Sequence, residues 1–414
     1  MTQPQRPPLL PLDEALRQLL SHALPLRETE QVPTMEADGR VLAQDVVSAL
    51  HVPPHDNSAM DGYAMRCADA LIPGAQLAVS QRIAAGMRGN ALELGTAARI
   101  FTGAPVPEGA DSVVMQEECT VLPDAAEGPR VQVNTAPKPG QNIRRAGEDV
   151  ARGDVVLNKG RRLGPAELGL AASIGMEQLD VIRRPRVALF STGDELVMPG
   201  AVAPQDMAPG AIYNSNRFFL NALLRRMGCD VTDLGIVPDQ REATIQALKE
   251  AAASHDVILT SGGVSVGEED HIKPAVQALG SLDLWQIAIK PGKPFAYGRI
   301  GPAHFLGLPG NPVSSFITFL LLVRPFLLCL QGQEDVAIKT VAARADFTWA
   351  RADKRREFLR VRHNEDGGLD LFPNQSSGVL TSAVWGDGLV DNPPSSTVAP
   401  GNIVRFVSFA ELLA

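Results

Sequence analysis

The sequence predicts a multidomain fold: a parallel-sheet α/β domain, a discontinuous helical domain with a β-rich insertion, and a C-terminal β barrel. With 414 residues the chain is too long for one hydrophobic core. Strand and helix patterns alternate over residues 185–331, whereas short β-like runs broken by Pro and Gly dominate residues 51–149 and 332–414. The expected domains are therefore residues 1–50 with 150–184, residues 51–149, residues 185–331 and residues 332–414.

The helical domain is predicted from two helical segments. Residues 12–23 place leucine and alanine on one helical face, with Asp13 and Glu14 in the first turn, where the helix dipole favours negative charge. Residues 164–175 form a second helical pattern, which Gly175 closes. Because these segments lie on either side of the first β-like stretch, we expect them to form one domain that the chain leaves and re-enters.

Two parts of the chain are predicted to be all-β. The runs LAVSQRI, ADSVVMQEE and RVQVN in the insertion, and FLRVRH and GNIVRFVSF near the C-terminus, have the composition of strands. Turn sequences such as DGG and DNPP separate the later runs. We therefore expect a small β domain in the insertion and a β barrel at the C-terminus.

The alternating segment predicts a parallel sheet with helices on both faces. The strand patterns RVALFST, CDVTDLGIV and DVILTSGG alternate with the helix patterns NRFFLNALLRRMG and ATIQALKEAAA. Ligands of such sheets bind beyond the carboxyl ends of the strands. Since the polar clusters STGDE, SGGVSVGEED and LPGNP follow predicted strands, we expect them to contribute to a site.

The composition is typical of a globular protein in a reducing compartment. Hydrophobic residues make up 45% and charged residues 21% of the chain, and the formal charge of −9 argues against broad contact with nucleic acid or anionic lipid. The four cysteines lie far apart without a CxxC pattern, so neither a zinc site nor a disulfide framework is indicated. The N-terminal sequence lacks the pattern of a secretion signal, and we expect a cytoplasmic protein.

Residues 312–331 approach the length of a membrane span. Ser314, Arg324 and Pro325 are among the residues that interrupt the apolar run. We therefore expect a buried or interface helix here, and no membrane partner.

Residues 256–270, DVILTSGGVSVGEED, are the most informative stretch for function. A turn through Gly262, Gly263 and Gly267 would expose backbone N–H groups to an anion such as phosphate. The three carboxylates that follow would repel a bare phosphate, so such a site would need a divalent cation such as Mg²⁺. An ordinary strand-to-helix loop with acidic residues at the helix N-terminus explains the same pattern.

Further polar clusters allow both a functional and a structural interpretation. Lys290 and Lys293 flank a Pro-Gly turn and suit phosphate binding, but they also suit a solvated surface. Asn311 is a predicted N-cap and Pro312 the first helical residue, so free N–H groups could receive an anion, or the helix is simply well capped. Glu195 in STGDEL could orient a metal or take part in a hydrogen-bonded turn.

Two loops at the borders of the insertion concentrate charge. The segments PPHDNSAMDGYAM and NIRRAGEDV contain aspartates and an arginine pair, which suits either an anion clamp or a surface ion network. The sequence has no G-x-S-x-G elbow or Walker A loop. Any chemistry therefore relies on carboxylates, lysines and backbone amides.

Seven motifs together resemble, in order and spacing, the molybdopterin molybdenumtransferase family (MoeA, and the E domain of gephyrin). They are SAMDGYAM, FTGAPVP, NIRRAGEDV, FSTGDEL, TSGGVSVGEED, IKPGKPF and LPGNPVSSF, and the resemblance extends from about residue 10 to about residue 410. It implies an elongated subunit with a helical dimerisation domain, a β insertion, a molybdopterin-binding α/β domain and a C-terminal β domain.

The resemblance implies a reaction as well. Adenylylated molybdopterin and molybdate are the expected substrates, Mg²⁺ is the expected cofactor, and the products are molybdenum cofactor and AMP. A molybdopterin adenylyltransferase is the expected upstream partner, because it supplies the adenylylated substrate.

Individual site residues follow from the matching motifs. The expected catalytic residues are Asp61, Asp149, Glu195, Asp239 and Asp270, and the last three are also the expected Mg²⁺ ligands. The expected substrate-binding residues are Thr102, Ser261, Gly262, Gly263, Gly267, Lys290, Lys293, Pro309, Pro312, Arg360 and Ser377.

One position departs from the family pattern. The family often has a lysine directly after the tryptophan that precedes IKPGK, whereas Gln286 follows Trp285 here. One expected anion contact is therefore in doubt, and Lys290, Lys293, Arg355 or Arg360 could supply compensating positive charge.

The resemblance further implies a homodimer whose sites are shared between subunits. Asp61 and Asp149 of one subunit are expected to act with Asp270 of the other. Two alternatives remain open from the sequence: a molybdopterin adenylyltransferase, which the α/β domain alone also resembles, and a non-catalytic scaffold.

Overall fold

Three six-stranded sheets organise the chain, in a computed structural model that describes residues 9–125, 128–238, 240–263 and 271–413. One sheet lies in the β insertion, one in the α/β domain and one near the C-terminus. The fold class predicted from the sequence is confirmed.

The N-terminal part contains two α-helices and twelve strands among its described residues. They are α1 (Leu12–Leu20), β1 (Thr29–Pro33), β2 (Val46–Val47), β3 (Asn57–Ser58), β4 (Gly62–Met65), β5 (Ala75–Ile83), β6 (Thr96–Ile100), β7 (Ser112–Met115), β8 (Cys119–Ala125), β9 (Gly128–Val133), β10 (Ile143–Arg144), β11 (Val155–Leu157), α2 (Pro165–Ser173) and β12 (Gln178–Ile182).

In the insertion, strands pair in the order β7-β4-β6-β5-β9-β8. The predicted runs LAVSQRI and RVQVN lie in β5 and β9, which pair antiparallel. Outside this sheet, β1 pairs with β12 and β2 with β11, so residues on either side of the insertion share one hydrophobic core.

The first helix packs away from that core. The helix predicted over residues 12–23 ends at Leu20, and its buried side chains Leu12, Ala15 and Leu19 join the core of the α/β domain. Its apolar face is covered by the long C-terminal helix of that domain rather than by α2.

The α/β domain follows the predicted alternation. Its elements are β13 (Arg186–Thr192), β14 (Leu196–Val197), β15 (Ile212–Tyr213), α3 (Asn216–Arg226), β16 (Asp230–Val237), α4 (Arg241–Ser254), β17 (Val257–Ser261), α5 (Ile272–Leu279), β18 (Gly280–Gln286), β19 (Ile289–Lys290), β20 (Pro294–Ile300), β21 (Ala303–Leu308), α6 (Pro312–Thr318) and α7 (Arg324–Leu330).

The main sheet of this domain is mixed. Strands β16, β13, β17 and β21 are parallel, as the alternation predicts, while β20 and β18 extend the sheet as antiparallel strands. The short connection between β20 and β21 makes them a hairpin, and hairpins join antiparallel strands. Alternate residues face opposite layers: Leu189 and Leu259 pack toward α3 and α7, whereas Phe190 and Ile258 pack toward α4 and α5.

The apolar stretch predicted to be a buried helix is continuous from Pro312 to Leu330. A π-helical turn at Phe319–Val323 joins α6 to α7. Pro325 lacks an N–H group, so it cannot complete the regular hydrogen-bond pattern at this point. The helix is long and apolar enough to span a membrane, but 83% of its most apolar window is buried inside the protein, as in a core helix.

The C-terminal part is a small barrel with short helices. Its elements are β22 (Val341–Arg344), β23 (Arg356–His363), β24 (Leu369–Leu371), α8 (Thr381–Trp385), β25 (Gly388–Asn392), β26 (Ile403–Ser408) and α9 (Phe409–Leu413).

These strands pair in the order β19-β23-β25-β26-β22, and β24 pairs with β23 on the same edge as β19, further along the strand. A bridge between Ala345 and Leu369 connects the end of β22 to β24 and closes the barrel. Strand β19 of the α/β domain pairs in parallel with β23, so the barrel is attached directly to the segment IKPGK.

Candidate active site

A cavity of about 370 Å³ lies at the carboxyl ends of the parallel strands β13, β17 and β21. Its wall consists of residues 212–216 together with side chains that follow each of these strands. Four predicted site residues line it: Glu195, Ser261, Gly262 and Pro312. The position agrees with the general rule for ligand sites in open α/β sheets.

A buried hydrogen-bond network forms one side of the cavity. The Nδ2 atom of Asn216 donates to Oγ of Ser261 at 2.8 Å and to the carbonyl of Gly310 at 2.7 Å. The Ser261 hydroxyl donates to the carbonyl of Pro309 at 3.2 Å. The network therefore fixes the loop after β17 against the loop after β21, and it brings the predicted residues Ser261 and Pro309 together.

The backbone at residue 262 requires a glycine. Its φ is 95°, which L side chains rarely adopt, and a Cβ atom there would lie 3.3 Å from the carbonyl oxygen of Thr192. Its N–H donates to the carbonyl of Leu308 at 3.0 Å, so this amide is used within the sheet rather than offered to an anion. Gly263 also has a positive φ, of 67°.

Two asparagines are site residues that the sequence motifs did not reveal. Asn214 and Asn216 are buried in the cavity wall just before and at the start of α3. The Nδ2 atom of Asn214 has no hydrogen-bond partner among the described residues, although this side chain is only 2% exposed. A buried amide without a partner is costly, and here it can donate to a bound ligand. The sequence Asn214-Ser215-Asn216 could have indicated these residues, because asparagine and serine are preferred at helix N-termini.

The N-terminus of α6 borders the cavity. Asn311 occupies the N-cap position and Pro312 the first helical position, as predicted. The N–H of Val313, however, donates to the carbonyl of Ser377 at 2.9 Å. One of the N–H groups expected to be free is thus taken by the C-terminal barrel, which places Ser377 beside the cavity.

Glu195 lies exposed at the rim of the cavity. Its carboxylate folds back over Gly193, where a Cβ atom would come within 2.6 Å of Oε2. No basic side chain in the described part of the chain forms an ion pair with Glu195, so the carboxylate is available to a cation.

Of the predicted Mg²⁺ ligands, only Glu195 lies within the described residues. Asp239, Gly267 and Asp270 lie outside them. Where the structure is described, it has no cluster of three His, Cys, Asp or Glu side chains that could hold a metal. Mg²⁺ is commonly bound through one or two carboxylates together with substrate phosphates, and the exposed carboxylate of Glu195 fits that mode.

Lys290 and Lys293 have different environments. The ammonium group of Lys290 lies 3.0 Å from Oε1 of Glu357 and 3.5 Å from Oδ2 of Asp353. Lys293 forms no ion pair with a described residue. The turn between the two lysines contacts α6: a Cβ atom on Gly292 would lie 2.5 Å from Oγ1 of Thr318.

Arg360 is buried in the barrel and supports the loop that carries Ser377. Its guanidinium donates to Oγ of Ser382 at 3.0 Å and to the carbonyls of Phe358 and Ser376 at 3.2 Å each. Burial lowers the pKa of Arg360 to about 10, because the charged form is poorly solvated there. In this conformation the guanidinium holds backbone carbonyls rather than facing the cavity.

Asp61 and Thr102 of the β insertion form a second group. Both the N–H and the hydroxyl of Thr102 donate to Oδ1 of Asp61 at 2.8 Å. Asp149 is exposed in a neighbouring loop, where its N–H donates to the carbonyl of Val52 at 3.1 Å. Within the described residues, no hydrogen bond or ion pair connects this group to the cavity.

The loop of Asp149 and the loop of Asp61 are held side by side. Strand β10 pairs with β3, and Nη1 of Arg145 lies 2.6 Å from Oδ2 of Asp56. The arginine-carboxylate cluster seen in the sequence is therefore, at least in part, a structural ion pair between the two loops.

Comparison with known proteins identifies the family. Three family profiles match in succession: the MoeA N-terminal region (domain I and II) at residues 10–175, a probable molybdopterin binding domain at residues 188–328, and the MoeA C-terminal region (domain IV) at residues 342–409. The chain belongs to the MoeA family.

Relatives in the MoeA family are similar over most of their length. A molybdopterin molybdenumtransferase of Haemophilus influenzae is 44% identical over 330 residues, covering 79% of each chain. Molybdopterin molybdenumtransferase 2 of Mycobacterium tuberculosis is 37% identical over 380 residues, covering 87% of this chain and 90% of the relative. The prediction of an enzyme of this family is thereby confirmed.

A solved MoeA structure has the same fold. The molybdopterin biosynthesis MoeA protein of Pyrococcus horikoshii superposes with a TM-score of 0.84 at 29% identity, over 97% of this chain and 100% of the other. The agreement covers the insertion, the α/β domain and the barrel.

Proposed function

We propose that this chain inserts molybdenum from molybdate into adenylylated molybdopterin and releases AMP in a Mg²⁺-dependent step. The observation that carries the proposal is the cavity at the strand ends. Among the described residues, the Nδ2 atom of Asn214 in its wall has no hydrogen-bond partner and the carboxylate of Glu195 at its rim has no ion-pair partner. An adenylylated pterin presents phosphate oxygens, which need such hydrogen-bond donors and a cation.

The amide groups orient the substrate. Asn214 donates to a phosphate oxygen from a fixed position, because its Oδ1 already accepts the N–H of Arg217 at 3.3 Å. Fixed donors in a partly enclosed site stabilise developing negative charge without reorganising. Lys290 and Lys293, beside α6, hold the remaining anionic groups.

Glu195 would hold Mg²⁺ together with Asp239 and Asp270. The cation, when bound, neutralises phosphate charge and favours departure of AMP. Glu195 itself contributes an oxygen ligand at the mouth of the cavity, where solvent can complete the coordination shell.

We further propose a cytoplasmic homodimer with shared sites. Asp61, Thr102 and Asp149 have no contact with the cavity of their own described chain, which is consistent with their acting on the cavity of a second copy. Large apolar side chains are exposed on the N-terminal part, among them Met35 at 91%. Contact with a second copy would remove such apolar surface from water. A molybdopterin adenylyltransferase would supply the substrate.

The test is AMP release from purified protein with adenylylated molybdopterin, molybdate and Mg²⁺. We expect AMP and molybdenum cofactor in equal amounts, and a strong loss of both in Glu195→Gln, which keeps the size of the side chain but not its charge. Glu177→Gln, a carboxylate outside the cavity, is the control.

Two results would refute the proposal. Adenylylation of molybdopterin from ATP by this chain alone would assign it to the preceding step. No AMP release from properly folded dimer with all substrates present would favour a scaffold.

A further inference from the structure

A charged cluster lies where the α/β domain meets the barrel. Lys290 is on β19, and the carboxylates that face it, Asp353 and Glu357, are just before and on the paired strand β23. Lys290 also lies over the ring of Trp349, 5.6 Å from the centroid.

Glu357 is the fixed member of this cluster. It is 1% exposed. Its Oε2 accepts hydrogen bonds from Nε1 of Trp349 at 2.8 Å and from Nδ2 of Asn392 at 3.3 Å, while Oε1 faces Lys290. A buried carboxylate requires such partners, and they leave it a single orientation.

Asp353 is less able to hold the lysine. It is engaged by Arg355, whose Nη2 lies 2.8 Å from Oδ2, and its distance to Lys290 is 3.5 Å. Hydrogen bonds from Arg355 hold the pKa of Asp353 well below its usual range. Asp353 is therefore mainly the partner of Arg355.

Lys290 is consequently held on one side and open on the other. A lysine side chain is flexible, and holding it in one geometry costs conformational entropy. The ammonium carries three N–H donors. Glu357 takes one of them, and the 36% exposure of the side chain leaves room for a ligand.

We propose that Glu357 is a positioning residue that holds the Lys290 ammonium in place for an oxyanion of the substrate. The inference rests on the proposed function, because it assigns Lys290 to substrate binding. It also gives the barrel a role in the site: through β23 it supplies the anchor for a lysine that belongs to the α/β domain. Preorganisation of this kind acts on the rate of the chemical step as well as on binding.

Glu357→Gln tests the proposal, since it keeps the size and an acceptor for Trp349 but removes the charge that attracts Lys290. We expect kcat for AMP release to fall by about tenfold while KM does not fall. Asp391→Asn is the matched control: Asp391 is an equally buried barrel carboxylate, but its partners are Arg356 and Arg405.

Two kinetic outcomes would overturn the proposal. If KM falls and kcat is unchanged, Glu357 only weakens anion binding by neutralising Lys290. If Asp391→Asn changes kcat and KM to the same extent, the effect comes from the barrel as a whole.

Lysine acylation provides a readout that needs no turnover. In the wild type, Lys290 should react more slowly with an acylating reagent than Lys293, as measured by mass spectrometry of peptides. In Glu357→Gln the rate at Lys290 should rise by about tenfold, with Lys293 unchanged. An unchanged rate at Lys290 refutes the positioning role, whereas absent AMP release in the wild type refutes only the proposed function.

Discussion

Thr102 stabilises the charged form of the Asp61 carboxylate. Two hydrogen bonds from Thr102 lower the pKa of Asp61: the larger effect comes from its N–H and the smaller from its hydroxyl. A partly exposed carboxylate held in this way stays charged and keeps one orientation, which suits a residue that binds a ligand.

Thr102→Val should raise the pKa of Asp61, because it removes the hydroxyl donor, but only part of the way, because the amide donor remains. A group with a lowered pKa stabilises the fold above its ordinary pKa, and that stabilisation is lost as the pH falls through the lower folded-state value. In the variant this stabilisation should be smaller, and its loss should be complete at a higher pH. Carboxyl-carbon NMR titration measures the shift, and Thr102→Ser should retain the wild-type value; an unchanged pKa in Thr102→Val would contradict the assignment.

Arg360 is a second residue whose neighbours define its role. Arg360→Met should leave the carbonyls of Phe358 and Ser376 without their donor and destabilise the barrel by about 2–4 kcal/mol. Urea unfolding measures the change, and Arg360→Lys, which retains a donor and the charge, should lose less. A loss below about 1 kcal/mol in Arg360→Met would show that the carbonyls find other partners.

At the scale of elements, the turn after β19 and the helix α6 fit closely together. Gly292 has a φ of 111°, and the space for a Cβ atom is filled by Oγ1 of Thr318. The turn carries Lys290 and Lys293, while α6 borders the cavity. Close contact at Gly292 therefore sets the distance between the lysines and the cavity.

Gly292→Ala should destabilise the protein by about 1–3 kcal/mol, through strain and overpacking, and should reduce substrate affinity. Gly169→Ala is the matched control, because Gly169 lies within α2 with open space around it. This control should be stabilised by up to about 1 kcal/mol. Thermal unfolding and substrate titration compare the two variants. If Gly292→Ala matched Gly169→Ala in stability and affinity, the turn would accommodate a Cβ atom without strain.

For the whole molecule, we propose a site completed by a second copy, and the positions of the charged groups are consistent with it. The turn that carries the lysines and the loop of Ser377 both contact α6, whose N-terminus borders the cavity. Asp61 and Thr102, by contrast, lie next to strands β4 and β6 of the insertion sheet. A closed dimer with twofold symmetry would create two equivalent shared sites.

Mixing Asp61→Ala chains with Asp270→Ala chains tests this arrangement. Each heterodimer would contain one intact and one doubly altered site, so verified heterodimers should have about half the wild-type activity. Each variant alone should be nearly inactive. No recovery in heterodimers would mean that both aspartates act within one chain.

The sequence by itself determined the fold class and the location of the cavity. Strand and helix periodicity predicts the parallel strands, and the glycine and proline signals mark the loops at their carboxyl ends, because these features depend on residues close together in the chain. The antiparallel extension by β18 and β20 was not predicted, since a hairpin strand and a parallel strand have similar local patterns.

Only the tertiary structure decided which side chains meet. The bond from Asn216 to Gly310 spans 94 residues, and the contact between Lys290 and Glu357 spans 67. The bond from Val313 to the Ser377 carbonyl likewise joins α6 to the barrel. No local pattern encodes such pairs, because their partners are fixed by the packing of whole elements, and that packing determines which donors remain free for a ligand.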